Sequence, residues 1–549
     1  MLARLEKSMY FCKKYCDMNE DTKILKMPLG IQSFEEIRNG SYIYVDKTDY
    51  VWKIANGKKF NFLGRPRRFG KSLFADTLKC YFEGRYDLFE NLKIMDLEQT
   101  LEHQWVKRDV FKFDFSGPQN ADQLANKLNN QLVKYEDIYG RTPSAKTPGD
   151  RLQELILRAY AKTGQQVAVI VDEYDAPLQN TLFNDDEYEK TAEIYRNFFP
   201  TLKENGLYLK CLFLTGVTKF TSLSLFSTLN TVSILGYLPD YASALGLSKQ
   251  EIIDNFQPQL HEMAVKMNQT EEEVIAKMKD MYDGYHFSED TTQEVYNPFS
   301  VINALSDKNI SNYWVASGAS KLLSDILKRD DLSGVDFDNC SLDEDELQLD
   351  DVSVDNSLLM LYQTGYLTIK FHDKALELYE LCIPNKEVRN TLYKIVLPNA
   401  LRQSGKVVDS AIKRMKRALQ GNDIPELFEN LKQLVSETPY ITGSGDKDKL
   451  YERDFRFILR CAFYLCGCRV EEEKQTSKGR ADLVANHENA IIIMELKLDN
   501  NGGIEAAKKQ IIENDYASAF SAEGKKIYQV AISFDTEKRG ISGYDIVER

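Results

Sequence analysis

Short apolar runs that alternate with helix-like segments constrain the fold of this chain more than any other feature of its sequence. Val167–Val171 consists of five apolar residues, and Lys210–Leu214 ends in four. Such runs are typical of parallel strands that are covered on both faces. The preceding segment, Thr147–Tyr160, opens with a Thr-Pro helix start and spaces its apolar residues as a helix does. Strands that alternate with helices predict an α/β fold with a parallel sheet.

A glycine-containing loop joins a strand-like run to a helix-like segment in the same region. Gly64–Ser72 reads Gly-Arg-Pro-Arg-Arg-Phe-Gly-Lys-Ser. A helix N-terminus directs backbone N–H groups toward a phosphate, and Gly70 lets the backbone approach it closely. Lys71 can reach the β- and γ-phosphates, and Ser72 can bind Mg²⁺. The usual Walker A loop has its first glycine where Arg65 stands, so a strand–turn–helix with a chance Gly-Lys-Ser stays an alternative.

An acidic motif of the Walker B kind follows about a hundred residues later, where Val169–Glu173 ends in two carboxylates. The ends of parallel strands face the ligand crevice of such sheets. We expect Asp172 to hold Mg²⁺, directly or through water, and Glu173 to polarise the attacking water as general base. Thr215, which closes the next apolar run, is a candidate for orienting that water. A surface Asp-Glu pair and a plain strand-end threonine are the alternatives.

Three arginines are candidates for supplying positive charge to the γ-phosphate: Arg67, Arg68 and Arg196. Surface or interface ion pairing is the alternative for each of them. The predicted nucleotide-binding set consists of Arg67, Arg68, Gly70, Lys71, Ser72 and Thr215. Ser72 and Asp172 are the predicted metal ligands of this site.

Seven separated motifs stand in order between about Pro28 and Val396. They are Tyr44-Val-Asp-Lys-Thr48, Arg65-Pro-Arg-Arg-Phe-Gly-Lys-Ser-Leu73, Val171-Asp-Glu-Tyr-Asp175, Leu214-Thr-Gly-Val217, Tyr282-Asp-Gly-Tyr285, Tyr296-Asn-Pro298 and Gly365-Tyr-Leu367. Together they resemble the AAA-ATPase-like family, bacterial proteins related to the STAND NTPases and the archaeal ATPases. The resemblance implies a P-loop NTPase domain with ATP as its nucleotide. The residues themselves do not choose ATP over GTP.

A second candidate site lies near the end of the chain, where residues 479–498 read as a β-hairpin with a turn at Asn486–Asn489. The two-residue period of a strand puts Glu495 and Lys497 on one face, and Asp482 can meet Glu495 across the hairpin. Two such carboxylates are suitable ligands for Mg²⁺. Lys497 would position or deprotonate the water that attacks a phosphodiester. A hairpin with an ordinary cross-strand ion pair is the alternative.

Four further polar residues accompany this hairpin as candidate supporting groups. Glu452 lies on a predicted helix, Glu473 precedes the first strand, and Gln510 and Tyr516 follow on a later helix. The whole order, from about Tyr451 to Phe534, resembles the PD-(D/E)XK nucleases. It is most similar to a branch often fused to the AAA-ATPase-like family, although Gly-Arg-Ala replaces the proline of the motif's name. The resemblance implies a restriction-endonuclease-like α/β domain, and the residues do not choose between DNA, RNA and neither as substrate.

Composition limits the partners and the compartment. The net charge of −14 argues against a protein that coats nucleic acid through positive charge alone. No apolar run approaches the roughly 18 residues of a membrane helix, and no signal peptide is evident. The nine cysteines are scattered and there are five histidines, which argues against a zinc site and favours the cytoplasm. We expect nucleic acid, DNA in the first place, as partner, and a homo-oligomer stays open.

The pattern divides the chain into five predicted segments. They are a mobile leader (1–27), an AAA-ATPase-like P-loop domain (28–234), a helical and winged-helix-like region (235–396), a helical linker (397–450) and a PD-(D/E)XK nuclease-like domain (451–549). In the third segment, Leu358–Ile369, Leu376–Ile383 and Glu387–Val396 read helix–strand, strand, helix, as in a winged helix. The stretch 331–356 carries ten Asp or Glu and no Lys or Arg, and reads as a solvated loop.

These patterns together predict an enzyme that binds and hydrolyses ATP and whose nucleotide state controls a Mg²⁺-dependent nuclease. Defence against foreign DNA would suit this pairing by analogy of fold. The alternative is a STAND-like nucleotide-dependent switch or scaffold, whose nuclease-like domain is inactive and only binds. The acidic net charge favours the switch, and the intact set of Asp482, Glu495 and Lys497 favours the enzyme.

Overall fold

The structure of the protein is a computed structural model. The residues that it describes are 25–100, 105–220, 232–289, 293–314, 320–329, 335–348, 356–436, 452–475, 479–538 and 540–548. The chain divides into two compact units. The first comprises Met1–Tyr313 and Gln348–Val352, and the second comprises Trp314–Leu347 and Ser353–Arg549.

Of the predicted leader, residues 1–27, the first 24 lie outside the described residues. Its last residues differ from the prediction, because they take part in the first unit. The backbone N–H of Lys26 donates to the carbonyl of Ser41 at 2.9 Å, and Lys26 forms a parallel bridge with Tyr42. Met27 packs against a buried apolar cluster of the same unit. The predicted leader therefore extends too far, because Lys26 and Met27 belong to the first unit.

A five-stranded parallel sheet forms the centre of the first unit. Its strands, in spatial order, are β2 (Val110–Asp114), β3 (Val167–Asp172), β4 (Leu209–Gly216), β1 (Phe60–Gly64) and β5 (Ser233–Ile234). All residues of β3 are buried, as its apolar run predicts. Because β4 lies between β1 and β3, the ends of β1 and β3 both adjoin the end of β4. This order brings the glycine-containing loop and the acidic motif to one edge of the sheet.

Of the described helices that accompany this sheet, four begin at a side-chain cap, which Ser33, Asn120, Thr147 and Asn184 supply. The helices are α1 (Phe34–Asn39), α2 (Thr48–Asn56), α3 (Lys71–Phe82), α4 (Lys93–Glu98), α5 (Ala121–Tyr139), α6 (Pro148–Thr163), α7 (Ala176–Thr181), α8 (Asp185–Phe198) and α9 (Pro200–Glu204). In α6, the Thr147 hydroxyl and the Asp150 carboxylate each accept the other residue's backbone N–H, which forms a capping box. The predicted helix start at Thr147 is confirmed.

After Leu235 the first unit is mainly helical, as predicted. Its helices here are α10 (Lys249–Asn255), α11 (Gln257–Met267), α12 (Glu271–Tyr282) and α13 (Pro298–Asp307). Ser248 and Thr270 form capping boxes at the starts of α10 and α12. The helices enclose a buried apolar core that includes Phe256, Met278 and Leu305.

The first part of the second unit carries a small antiparallel sheet. Its strands are β6 (Cys340–Asp343), β8 (Leu378–Cys382) and β7 (Thr368–Asp373), in that order. The helices of this part are α14 (Ser320–Arg329), α15 (Glu344–Gln348), α16 (Ser357–Thr364), α17 (Lys386–Ala400), α18 (Gly405–Gln420) and α19 (Ile424–Ser436). The helix–strand–strand–helix order predicted for Leu358–Val396 is confirmed by α16, β7, β8 and α17.

The acidic stretch 331–356 is not wholly a solvated loop, because β6 and α15 form within it. Cys340 and Leu342 are buried while Ser341 and Asp343 are exposed, so the one acid of this edge strand, Asp343, lies on its solvent face. The prediction of a solvated loop followed the many charges of the stretch and missed this short alternation of buried and exposed residues. It was wrong for β6 and α15.

The last part of the second unit contains a five-stranded mixed sheet. Its strands, in order, are β13 (Gly540–Glu548), β12 (Lys526–Asp535), β11 (Ala490–Leu498), β10 (Arg480–Asn486) and β9 (Arg469–Gln475). β11 and β12 are parallel, and the other pairs are antiparallel. Helices α20 (Glu452–Leu465) and α21 (Gly503–Asn514) belong to this part. The predicted α/β fold with a parallel sheet first and a second α/β domain last is confirmed. None of the described helices is both long and apolar enough to span a membrane.

Candidate functional sites

The glycine-containing loop runs from the end of β1 into the start of α3. Gly70 is the N-cap of α3 and has φ = +89°, a left-handed conformation that glycine adopts without strain. Lys71 is the first residue of the helix, and half-buried Ser72 is the second. The structure therefore has the predicted strand–loop–helix order, with backbone N–H groups of the first helical turn free of partners inside the helix.

The side chain of Lys71 is buried and folds back onto its own loop. Its Nζ donates to the carbonyls of Arg65 at 2.9 Å and of Pro66 at 3.0 Å. Burial lowers the pKa of Lys71, and the negative charges of Glu173, Asp175 and Asp172 act in the opposite direction. The acidic end of β3 is thus close enough to the loop to influence this ammonium group electrostatically.

Asp172, Glu173 and Thr215 are brought together at the adjoining ends of β3 and β4. The Thr215 hydroxyl donates to the Asp172 carboxylate, and the backbone N–H of Glu173 donates to the same hydroxyl at 3.2 Å. Glu173 has φ = +51°, which is uncommon for a residue with a side chain. Burial raises the pKa of Glu173, while the charge of Lys71 opposes this rise. Thr215 therefore contacts the Asp172 carboxylate and the backbone of Glu173.

Arg65, the residue at the position of the usual first glycine, points out of the loop and is buried. Its guanidinium donates to the carbonyls of Gly236 at 2.9 Å, Tyr241 at 2.8 Å and Ala242 at 3.2 Å. The same group lies 4.1 Å from the centre of the Phe287 ring. Sequence reasoning gave Arg65 no role, because nothing local shows that a segment about 170 residues later supplies these acceptors.

Asp175 is a second residue whose part in the site was missed. Its buried Oδ2 accepts hydrogen bonds from the backbone N–H groups of Val217 at 2.9 Å and Thr218 at 2.6 Å, and from Gln179 Nε2 at 2.6 Å. These contacts hold the chain that leaves β4 beyond Thr215. Its place as the last acid of the Asp-Glu-Tyr-Asp motif is the sequence signal that could have found it.

The three candidate arginines have protein partners in the described structure. Arg67 Nη2 is 3.4 Å from Gln179 Oε1, and the Arg68 guanidinium lies 4.7 Å from the centre of the Phe299 ring. Arg196 forms an exposed ion pair with Glu189 at 2.7 Å, so the surface-pairing alternative describes it best.

The hairpin of the second candidate site is formed by β10 and β11. Leu483 pairs with Met494, and the same register continued by one residue puts Asp482 opposite Glu495. The backbone N–H of Leu496 donates to Asp482 Oδ2 at 2.9 Å. The turn at 487–489 agrees with the predicted turn.

Lys497 shares this face of the hairpin with the two acids. Its Nζ is 3.1 Å from Glu495 Oε1 and 4.0 Å from Asp482 Oδ2. The structure thus brings Asp482, Glu495 and Lys497 into one cluster.

Glu495 is the most unusual group of this cluster. Its side chain is 0% exposed, and its Oε2 accepts no hydrogen bond from the described residues. Burial, followed by the negative charge of Asp482, raises the pKa of Glu495 to about 7. A buried carboxylate oxygen without a donor, next to a second carboxylate, fits a divalent cation with oxygen ligands. Among the described residues no group of three or more acidic, His or Cys side chains forms a metal site, so water or backbone would complete the shell.

Arg456, on the first turns of α20, links the supporting acids and was not predicted. Its Nη1 is 2.8 Å from Glu473 Oε1, and its Nη2 is 3.2 Å from Glu452 Oε1 and 3.7 Å from Asp482 Oδ1. Glu452 and Glu473 therefore lie beside the cluster, but their carboxylates form ion pairs with arginine. Glu473 pairs with Arg480 as well, at 2.9 Å. The spacing of four residues from Glu452 to Arg456 on a helix could have indicated their pairing.

Gln510 and Tyr516 lie close to the hairpin, and Tyr516 is buried in an apolar cluster that includes Ile491 and Ile493 of β11. Gln510 Nε2 donates to the Tyr516 hydroxyl at 3.3 Å, and this hydroxyl donates to the carbonyl of Arg480 at 2.9 Å. Burial raises the pKa of Tyr516, and the charge of Glu495 adds to this rise. Tyr516 begins a 3-10 helix, Tyr516–Glu523, rather than continuing the helix of Gln510, because Asp515 adopts a left-handed conformation that ends α21. Their placement on one helix was therefore wrong.

Comparison with known proteins matches both halves of this arrangement. The family described as Predicted AAA-ATPase matches residues 28–226, and the PD-(D/E)XK nuclease superfamily matches residues 450–543. The chain joins an AAA-ATPase-like domain to a PD-(D/E)XK nuclease superfamily domain. An uncharacterized protein in the vnfD 5′ region of Azotobacter chroococcum mcd 1 is 28% identical over 532 residues, which cover 94% of this chain and 98% of that protein. The two matched ranges support nucleotide-dependent nuclease chemistry, and the boundaries at 234, 396 and 450 stay predictions.

Proposed function

We propose that this protein binds and hydrolyses ATP with Mg²⁺ at the loop Gly64–Ser72, and that its nucleotide state controls cleavage of nucleic acid, DNA in the first place, at the cluster around Glu495. The observation that carries the proposal is the Glu495 carboxylate, fully buried with one oxygen lacking a donor, between Asp482 and Lys497. Such a group is costly in a purely structural role and suits a cation-binding one.

At the first site, Lys71 would exchange the carbonyls of Arg65 and Pro66 for the oxygens of the β- and γ-phosphates. Ser72 and Asp172 would hold Mg²⁺. Glu173 would accept the proton of the attacking water, which suits a carboxyl group whose pKa is raised by burial. The contacts of the Thr215 hydroxyl with the Asp172 carboxylate and with the backbone N–H of Glu173 support its role in positioning that water.

At the second site, Asp482 and Glu495 would bind a divalent cation, which supplies charge for the phosphodiester transition state when bound. The Leu496 N–H bond fixes the Asp482 carboxylate against the hairpin. Lys497, held 3.1 Å from Glu495, would position the attacking water and give charge to the scissile phosphate. Tyr516 and Gln510 would hold strand β10 in place, since the Tyr516 hydroxyl donates to the carbonyl of Arg480.

The proposal is tested with purified protein, Mg²⁺, ATP and plasmid DNA, with Asp482→Ala and Lys71→Ala as matched variants. Wild type should nick or cut the plasmid only with Mg²⁺, and Asp482→Ala should leave it intact while still hydrolysing ATP. Lys71→Ala should lose ATP hydrolysis and with it the ATP dependence of cleavage. Intact plasmid in every reaction, with ATP hydrolysis present, would favour the switch or scaffold.

A defence role fits the pairing of domains by analogy of fold. It is tested by measuring phage plating on bacteria that carry the wild-type chain or Asp482→Ala. Equal plating on both strains would contradict the role without affecting the chemistry proposed for the two sites.

A further inference from the structure

Arg456 lies where several carboxylates of the nuclease-like domain converge. Its side chain is 17% exposed and contacts Glu452, Glu473 and Asp482. A guanidinium group stays charged at all relevant pH values, so Arg456 is a permanent cation at this position.

The two oxygens of Asp482 face different cations. Oδ2 accepts the N–H of Leu496 and lies on the side of Lys497, whereas Oδ1 lies 3.7 Å from Arg456 Nη2. A pair of metal ions about 3.5–4 Å apart needs a carboxylate that bridges them, together with further acids for the second ion. The oxygens available for a second ion belong to Asp482, Glu473 and Glu452, and Arg456 faces them all.

The summed charge of this cluster and the ion-pairing side chains beside it also favours a single metal ion. The carboxylates are those of Glu452, Glu473, Asp482 and Glu495, and the cations are Arg456, Arg480 and Lys497, which leaves a formal charge of −1. One divalent cation would bring this charge to +1, which suits an anionic phosphodiester. Two divalent cations would bring it to +3 with Arg456 facing them at close range, which is unfavourable.

We propose that Arg456 occupies the place of a second metal ion, so that the site holds a single divalent cation between Asp482 and Glu495. This inference rests on the proposed function of the same site. Arg456 is a positioning residue: it fixes Asp482 from the side opposite the cation and leaves Glu473 and Glu452 unavailable as ligands.

The test counts Mn²⁺ ions bound by the full-length chain, by isothermal titration calorimetry without nucleotide. Asp482→Ala gives the baseline number of Mn²⁺ sites. The sites that the wild type has and Asp482→Ala lacks are counted as sites of the nuclease-like domain. We expect one such site in the wild type and two in Arg456→Gln. Arg460→Gln is the matched control, because Arg460 lies one turn later on α20 and pairs with Asp336 and Glu472 instead; it should keep one site.

Electron paramagnetic resonance of bound Mn²⁺ supplies an independent readout. Wild type should show only isolated Mn²⁺, and Arg456→Gln should show the exchange coupling of two neighbouring ions. Glu473→Gln tests the proposal in case Arg456→Gln does not fold, since the Glu473 side chain is 45% exposed. It should keep one site, with a Kd within about fivefold of the wild type.

The outcomes separate the two proposals. Two sites in the wild type, or one site in a folded Arg456→Gln, would overturn the role of Arg456 and leave the metal site itself standing. Two Mn²⁺ sites in the wild type and one in Glu473→Gln would also overturn the role of Arg456. No site lost in Asp482→Ala would overturn the proposed metal site, and with it the function on which this inference rests.

Discussion

Replacing Glu495 with Gln should stabilise the metal-free protein at alkaline pH. The amide keeps an oxygen that can accept from Lys497, at 3.1 Å in the wild type, and removes the buried negative charge beside Asp482. Because the folded-state pKa of Glu495 is raised, the neutral carboxyl stabilises the fold below the ordinary pKa of 4.5. This contribution is lost as the pH rises through about 7. The Gln variant carries no such pH dependence.

The magnitude follows from the two pKa values of Glu495. The difference between 4.5 and about 7 corresponds to about 3 kcal/mol once the carboxyl is ionised in both states. The stability advantage of Glu495→Gln should therefore grow from under about 1 kcal/mol at pH 5 to about 3 kcal/mol at pH 8. For a unit of this size it corresponds to a rise in Tm of roughly 5–10 °C at pH 8.

Calorimetric melting of the full chain in EDTA, at pH values from 5 to 8, measures this advantage. Glu505→Gln removes the same charge from an exposed position and is the matched control, for which we expect no pH-dependent difference. At pH 8, added Mg²⁺ should raise the Tm of the wild type and leave Glu495→Gln unchanged, because the cation binds the ionised carboxylate. A variant less stable than wild type at pH 8, or an advantage that does not change with pH, would refute the reasoning.

Three further predictions concern the first site. Lys71→Ala should lower ATP turnover to background, as measured by phosphate release, since it removes the cation that reaches the β- and γ-phosphates; unchanged turnover in folded protein would contradict the site. Glu173→Gln should bind a fluorescent ATP analogue normally but hydrolyse ATP at least about a hundredfold more slowly, and loss of binding would contradict its role as base. Arg65→Met should destabilise the first unit by about 3 kcal/mol or more in urea unfolding, because it leaves three distant carbonyls without their charged donor; a smaller effect would show that those carbonyls find other donors.

Much of the fold could be predicted from local patterns, because each depends on residues close together in sequence. The apolar run of β3, the cap at Thr147 and the hairpin turn before β11 are of this kind. The position of Thr215 beside Asp172 could also be inferred, since Asp172 ends β3 and Thr215 is the last residue but one of the parallel strand β4. The edge strand β6 was missed because ten acids in the same stretch outweighed two buried residues.

Contacts between segments that are distant in the chain could not be predicted from the sequence. Asp175 reaches residues more than 40 positions later, and Arg456 on α20 reaches Asp482 on β10, with strand β9 between them in the chain. A charged residue in isolation gives no sign of its partner, because exposed and buried arginines have the same local context. Arg456 shows the limit most clearly: its helical spacing from Glu452 indicates one of its partners, but not Glu473 and Asp482, which matter for the proposed metal site.

The departure from the usual phosphate loop at Arg65 illustrates how such a contact changes the interpretation of a motif. A side chain at this position would obstruct a phosphate only if it turned into the loop. The Arg65 guanidinium turns the other way, toward Gly236, Tyr241 and Ala242, and packs on Phe287. Its backbone carbonyl stays on the loop side and accepts from Lys71, as a glycine carbonyl could. The Arg65 side chain therefore does not turn into the loop, and it also ties the loop to a segment that a glycine could not contact. These contacts support the proposal that the loop is held in place before a nucleotide binds.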